Sequence, residues 1–245
     1  MIIVKVMGGL GNQMQQYAMW RKFLHLGKEA KLDLSWFEDE MQQKALAPRQ
    51  LELGWFENLP MDICTDKERR RLLGGDSLVS RAVRKIGGSK VFTESRMYHP
   101  EVFDLDDAYL EGYWACNKYY DDILDELREL FVFPEAADPE AGIRNSQCRR
   151  AMEDPSEISV AIHIRRGDYL SPENAPLLAG ICTDAYYAGA VNLLEARFVH
   201  DNPLHFYIFS DDLNYARQCR FGTRGEENTV IDWNVGRTPC LTWSS

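Results

Sequence analysis

Two adjacent arginines, Arg165 and Arg166, follow a buried-strand pattern at 158–164, inside His163-Ile164-Arg165-Arg166-Gly167-Asp168-Tyr169. A guanidinium holds several donors in fixed directions and keeps its charge, so a neighbouring pair suits a diphosphate. In glycosyl transfer the departing diphosphate gains negative charge as its C–O bond breaks, and arginine there can replace a divalent metal. Side chains just past a buried strand project where ligands of open α/β sheets bind. The competing reading is a surface ion pair between Arg166 and Asp168, with His163 packed in the core. Arg166-Gly167-Asp168 also spells a cell-adhesion tripeptide, a match short enough to arise by chance.

Two further segments carry polar groups at strand ends. Gly8-Gly9-Leu10-Gly11-Asn12-Gln13 opens the chain after its first apolar run. Glycines let the backbone turn tightly there, and the following helix offers free N–H groups to an anion. Gly9 and Gly11 fit a dinucleotide fingerprint, and Asp33 falls 22 residues after Gly11, where a ribose-binding acid belongs. Met14 takes the place of the third glycine, so a plain tight turn competes with this reading. In Ser210-Asp211-Asp212, a carboxylate after a strand can accept from a guanine edge or cap a helix starting at Leu213. Asp104-Leu105-Asp106 resembles a metal clamp but lies in an acidic stretch and reads as a solvated loop. Tyr113, Trp114, Tyr119 and Tyr120 read as packing aromatics before a sugar-stacking patch.

Periodicity supplies the elements that position these groups. Residues 2–7 read as a strand, 13–26 as a helix and 30–34 as a second strand, the opening βαβ unit of an α/β domain. Residues 67–73 and 80–86 read as basic helices stopped by the pairs Gly74-Gly75 and Gly87-Gly88. A strand is expected at 108–113 and an amphipathic helix at 118–130. Residues 134–156 lack periodicity and read as a linker. Beyond it come a buried strand at 158–164, a helix at 183–198 and a strand at 205–209. The expectation is two domains, 1–140 and 141–245.

Of the 245 residues, 45% are hydrophobic and 27% charged, which is globular composition, and the formal net charge is −10. That charge argues against general affinity for nucleic acid or anionic membranes. Six scattered cysteines show no zinc spacing and are expected as thiols. The N-terminal run is too short for a signal peptide, and no stretch is long enough to span a membrane. A cytoplasmic location is expected.

Taken together, the segments resemble the galactoside α-1,2-fucosyltransferases of glycosyltransferase family 11. The resemblance runs through Gly8–Met14 with Gln16-Tyr17-Ala18, Leu110–Trp114, Lys118-Tyr119-Tyr120, Val160–Tyr169, Phe209–Asp212 and Asp232-Trp233-Asn234. It implies a GT-B-like enzyme of two Rossmann-type domains, the first on the acceptor side and the second holding GDP-fucose. Transfer would invert the anomeric centre without a metal or other cofactor. The implied acceptor is the 2-hydroxyl of a terminal galactose on a glycan or lipid-linked oligosaccharide, with a peripheral contact at the inner membrane face. It implies Arg165, assisted by Arg166, on the diphosphate, and His163 with Asp211 or Asp212 near the guanosine. Asn12 of the glycine loop, with Gly9 and Gly11, is implied near the donor or acceptor sugar. For the acceptor proton the choice lies between Glu173 and Asp168, with Glu173 favoured. The family pattern continues past Asn234 into a serine- and tryptophan-rich segment that this chain lacks, so the second domain is expected to be incomplete. Two alternatives stand beside this reading: a catalytically impaired GDP- or glycan-binding remnant, and an NAD-binding oxidoreductase.

Overall fold

The computed structural model describes residues 1–43, 49–57, 59–74, 90–95, 97–136, 138–198 and 200–234. The chain divides into two compact units, Met1–Phe133 and Pro134–Ser245. Each is an α/β layer on a parallel sheet, the class that the alternating strand and helix signals predict.

In the first unit, strand β1 (Ile2–Lys5) leads through the glycine loop into helix α1 (Leu10–His25), which returns to β2 (Ala30–Asp33). Helix α2 (Asp66–Leu73), β3 (Val91–Thr93), β4 (Ala108–Glu111) and helix α3 (Leu124–Leu130) follow. The four strands are parallel in the order β2-β1-β4-β3. Ile2, Ile3 and Val4 are all buried, as expected of a central parallel strand covered on both faces. Tyr17, Trp20 and Phe23 give α1 its buried stripe, and Trp20 still satisfies its indole N–H on the Ala30 carbonyl at 2.9 Å. Helix α2 starts on a capping box, Thr65 with Glu68, and stops at Gly74, whose φ of 78° suits glycine.

The helix expected at 118–130 is broken. Two 3₁₀ turns, Asn117–Tyr119 and Asp121–Ile123, precede a shorter α3. Tyr119, Tyr120 and Ile123 are all buried, and the tighter turns deliver them to the core where one α-helical stripe would not. The helix expected at 80–86 lies outside the described residues.

In the second unit, helix α4 (Pro139–Met152) precedes β5 (Ile158–Ile164), helix α5 (Asp184–Arg197), β6 (Leu204–Ser210) and β7 (Glu227–Val230). The strands are parallel in the order β5-β6-β7. Ile162, Ile164, Leu204, Phe206 and Ile208 pack against Val191 of α5 and Ala216. Helix α4 corrects the linker reading. Asp138 caps it, Pro139 takes its first turn, and Arg149 and Arg150 sit in its last. Ala141 is its only buried residue among those described, so it shows no apolar stripe for a periodicity argument to find. The expected C-terminal deficit concerns residues 235–245, outside the described residues.

Candidate functional site

The polar segments of the second unit meet where β5 and β6 end. Ile164 and Ser210 are register partners, so residues 165–168 emerge beside Asp211 and Asp212. Ser210 Oγ joins the two ends, donating to the Ile164 carbonyl at 2.8 Å and accepting from Asp212 N–H at 2.9 Å. Asp211 Oδ1 accepts from the Arg166 backbone N–H at 2.8 Å. A β-carbon on Gly167 would lie 2.8 Å from Asp211 Oδ2, so any larger residue there would push the Asp211 carboxylate aside.

Both arginines are paired, though not as the competing reading of an Arg166–Asp168 ion pair had it. Arg165 grips Asp168: Nη2 lies 2.8 Å from each carboxylate oxygen, Nε lies 3.1 Å from Oδ1, and the guanidinium lies over the Tyr169 ring. The 3₁₀ turn Asp168–Leu170 brings that carboxylate back, and the Arg165 side chain is 18% exposed. Arg166 turns the other way. Its Nε meets Asp212 Oδ2 at 3.1 Å, and its guanidinium lies 3.8 Å from the Tyr215 ring centroid. Arg165 Nη1 and both Nη groups of Arg166 have no hydrogen-bond acceptor among the described residues.

Asp212 serves twice. It caps the one-turn helix Leu213–Ala216 through Tyr215 N–H at 3.0 Å and balances Arg166. The cap and then the guanidinium, outweighing desolvation, hold its carboxyl below the usual range. The helix-cap reading and the ion-pair role thus coincide in one side chain. Asp211 is exposed, and its Oδ2 has no hydrogen-bond partner among the described residues. An open cleft of about 550 Å³ runs along this lip, lined by Arg166, Asp211, Asp212, Asn214 and Arg217. A cavity of about 360 Å³ beside α5 is lined by Tyr187, Tyr215 and Arg220 and reaches neither Arg165 nor Arg166.

His163 is exposed, not packed in the core, because alternation along β5 turns Ile162 and Ile164 inward. Crowding still desolvates its ring and lowers its pKa; Asp211 opposes that shift and Arg165 adds to it. Glu173 is exposed in the turn that follows. The structure therefore brings together His163, Arg165, Arg166, Asp168, Asp211 and Asp212 in one place. Arg217 and Asn214 are cleft residues that sequence reasoning missed. Asp232 ties Arg217 down at 3.1 Å, while Asn145 of α4 accepts from Trp233 Nε1 and Asn234 Nδ2 at 2.8 Å each. Helix α4 thereby anchors Asp232-Trp233-Asn234, whose role had no reading from the residues alone.

Gly9, Gly11 and Asn12 lie in the first unit, where the glycine loop is already engaged. Gln13, fully buried, donates to the carbonyls of Gly8 and Gln50 at 2.9 Å and accepts from Glu52 N–H at 2.8 Å. Burial pushes the Glu52 carboxyl up from the usual range, against the Leu10 backbone N–H and Arg49. Asp33 is equally committed, accepting from Tyr109 Oη at 2.7 Å, Ser35 N–H at 3.0 Å and Arg69 Nη1 at 3.3 Å. It is 2% exposed and cannot reach a ribose, which removes the basis of the NAD reading.

The two decoys resolve plainly. Asp106 pairs with Lys28, and Asp107 with Lys90 and Arg71, so this acidic stretch is a surface ion-pair cluster. Trp114, Tyr119 and Tyr120 are buried, while Tyr113 is exposed. Among the described residues one group has metal-ligand proximity, Glu157, His205 and Glu227, at the N-terminal edge of the second sheet. Glu157 and Thr229 already hold both His205 nitrogens, at 2.9 and 2.8 Å.

The second unit is thus a parallel α/β unit that presents two guanidinium groups at its strand ends. The family model described as glycosyl transferase family 11 matches residues 102–227, just over half of the chain. The chain belongs to that family and is a glycosyltransferase. The matched span takes in β4 through the start of β7 and includes the whole arginine lip. An alpha-1,2-colitosyltransferase of Escherichia coli is 28% identical over 243 residues, covering 96% of this chain and 77% of that protein. Among solved structures, the fucosyltransferase NodZ from Bradyrhizobium aligns at 11% identity and a TM-score of 0.44 over 94% of this chain and 77% of that one. NodZ alpha-1,6-fucosyltransferase soaked with GDP-fucose aligns over the same shares at 11% identity and a TM-score of 0.45. No helix among the described residues is long and apolar enough to cross a membrane.

Proposed function

We propose that the chain transfers L-fucose from GDP-fucose to the 2-hydroxyl of a galactoside, inverting the anomeric centre. The observation that carries this is the arginine lip itself: two guanidinium groups with unfilled donor positions at the joined ends of β5 and β6. Arg166 offers its Nη pair to the diphosphate from the cleft wall. Arg165, braced by Asp168 and Tyr169, offers Nη1. Positive charge fixed in advance stabilises the leaving diphosphate most as it gains charge, the work a divalent ion does in other transferases. Asp211 Oδ2 and the exposed His163 ring supply an acceptor and an aromatic edge for the guanine. Asn12, beside Gly9 and Gly11, is assigned to a sugar contact in the first unit. Glu173 is the open carboxylate for the acceptor proton, since Asp168 is committed to Arg165.

The test is a radiolabel transfer assay with GDP-fucose and a galactose-terminated oligosaccharide, alongside calorimetry with GDP. The α-1,2 product, formed at the same rate in EDTA, supports the reading. GDP binding without transfer replaces it with a non-catalytic remnant. The relative from Escherichia coli is named for colitose, so GDP-colitose is the second donor to offer. Exclusive use of it would change the sugar and leave the phosphate chemistry intact.

A further inference from the structure

The arginine lip stands against a wall made by the start of α5 and the one-turn helix Leu213–Ala216. Two contacts of different kinds hold Arg166 there. Asp212 Oδ2 takes its Nε at 3.1 Å, and its guanidinium carbon lies over the Tyr215 ring, 3.8 Å from the centroid. A guanidinium lying on a ring face is attracted electrostatically, and its in-plane N–H donors stay unspent. A second carboxylate in the ring's place would fill the Nη positions that a diphosphate needs. Asp212 and Tyr215 thus fix the group along one edge and across its plane. The Nη pair is left for the cleft that Arg166 lines.

Tyr215 is itself tied at both ends. Its N–H donates to Asp212 Oδ1 at 3.0 Å, so one carboxylate sets the root of the ring and the guanidinium together. Its hydroxyl donates at 2.5 Å to Oδ1 of Asp184, in the first turn of α5. That second tie matters because Tyr215, Asp184 and Tyr187 border the cavity of about 360 Å³ beside α5. Open space offers the ring no packing contacts on that side, so its far end needs a tether. The Asp184 hydrogen bond and then burial push the Tyr215 hydroxyl up to about 12, and it remains a donor throughout the neutral range. Tyr187 adds a strut, its hydroxyl donating to the His163 carbonyl at 2.9 Å. The start of α5 therefore braces both the root of the lip and its platform.

We infer that Tyr215 is a positioning residue for the donor diphosphate: anchored by Asp184, it holds the Arg166 guanidinium in its binding orientation before the nucleotide arrives. The inference rests on the transferase reading above and acts wholly within the second unit. Ordering a long side chain on binding costs free energy, and a guanidinium stacked in advance avoids that cost. Without its platform Arg166 keeps its charge and its contact with Asp212, but the ligand must then order it.

The experiment is GDP calorimetry on the full chain, run as a double-mutant cycle with Arg166→Ala. Tyr215→Leu is expected to raise the Kd for GDP by about 2- to 12-fold, the ordering cost of one such side chain. In the Arg166→Ala background the same substitution should shift the Kd by less than about 2-fold, because the ring acts through that arginine. Asp184→Ala should reproduce part of the loss, and Asp184→Asn, which keeps an acceptor oxygen for the hydroxyl, should restore most of it. A ring that merely supported the fold would weaken GDP binding equally with and without Arg166, and independent losses of that kind overturn the inference. Parent affinity in Tyr215→Leu overturns it as well. Should Tyr215→Leu fail to fold, Tyr215→Phe keeps the ring, drops the tether and carries the same cycle. Its smaller loss must also vanish in the Arg166→Ala background, or the inference falls. Parent GDP affinity in Arg166→Ala itself is a different failure, that of the phosphate reading, and takes this inference with it.

Discussion

Replacing Arg166 by alanine should separate ligand binding from folding. In the free protein its guanidinium makes one ion pair, Nε to Asp212 at 3.1 Å, and covers the Tyr215 ring. Both members of that pair are about a third exposed, 33% and 35%, so solvent screens it. An exposed pair contributes roughly 0–1 kcal/mol and an exposed cation–π contact about 0.5–1. Asp212 keeps its cap on Tyr215 N–H, so a stability loss near 1 kcal/mol is expected. Ligand binding should suffer more. Two charge-assisted hydrogen bonds to a diphosphate are worth about 1.5–3 kcal/mol each when shielded. Discounting by about half for the open cleft leaves roughly 1.5–3 kcal/mol, a rise of about 10- to 150-fold in the Kd for GDP. Calorimetry with GDP and a thermal melt on the same samples read the two effects. Near-parent GDP affinity would refute the assignment, and a collapse of the melt would refute the partition between binding and stability.

The other predictions follow from the same geometry. Arg165→Ala should cost about 2.7–4 kcal/mol in kcat/KM, as for loss of an oxyanion donor, measured by initial rates of transfer. Gly167→Ala forces the Asp211 carboxylate away from the Arg166 N–H and should weaken GDP binding and lower Tm together. Gln13→Ala removes the side-chain partner of the part-buried backbone groups of Gly8, Gln50 and Glu52 and should destabilise the first unit by about 1–3 kcal/mol in urea. Burial opposes the Asp33 anion, but hydrogen bonds from Tyr109 and Ser35 and the charge of Arg69 outweigh it and lower its pKa. A depressed carboxyl contributes stability that is present above its unfolded pKa of about 3.9 and is lost as pH falls through the lower folded value. Tyr109→Phe should shrink that acid-sensitive part and flatten the fall in stability below about pH 4, followed by circular dichroism.

Strand chemistry made much of the second unit legible. The strand expected at 158–164 is present as β5, but it is an edge strand that buries only Ile162 and Ile164 on one face rather than a strand buried throughout. The helix expected at 183–198 is present as α5, and the structure adds that Thr183 caps it. Edge strands β3 and β7 were not legible, since Val91–Thr93 and Glu227–Val230 are short and none of their residues is fully buried. Helix α4 hid for a related reason: its packing runs through polar side chains, Arg144 over Trp233 and Asn145 onto Trp233 and Asn234. Asp138-Pro139 was the signal that should have revealed it. The arginine lip was predicted by residue type and position, but its pairing was not. The 3₁₀ turn gives Asp168 to Arg165, and the parallel register gives Asp212 to Arg166, two facts that only the folded chain supplies.

The most direct measurement is a crystal structure of the chain soaked with GDP. The diphosphate oxygens should lie within hydrogen-bonding distance of Arg165 Nη1 and the Nη groups of Arg166, with the guanine turned toward Asp211 and His163. A nucleotide seated in the cavity beside α5 or against the glycine loop, with both guanidinium groups unmoved and free of phosphate, would contradict the account.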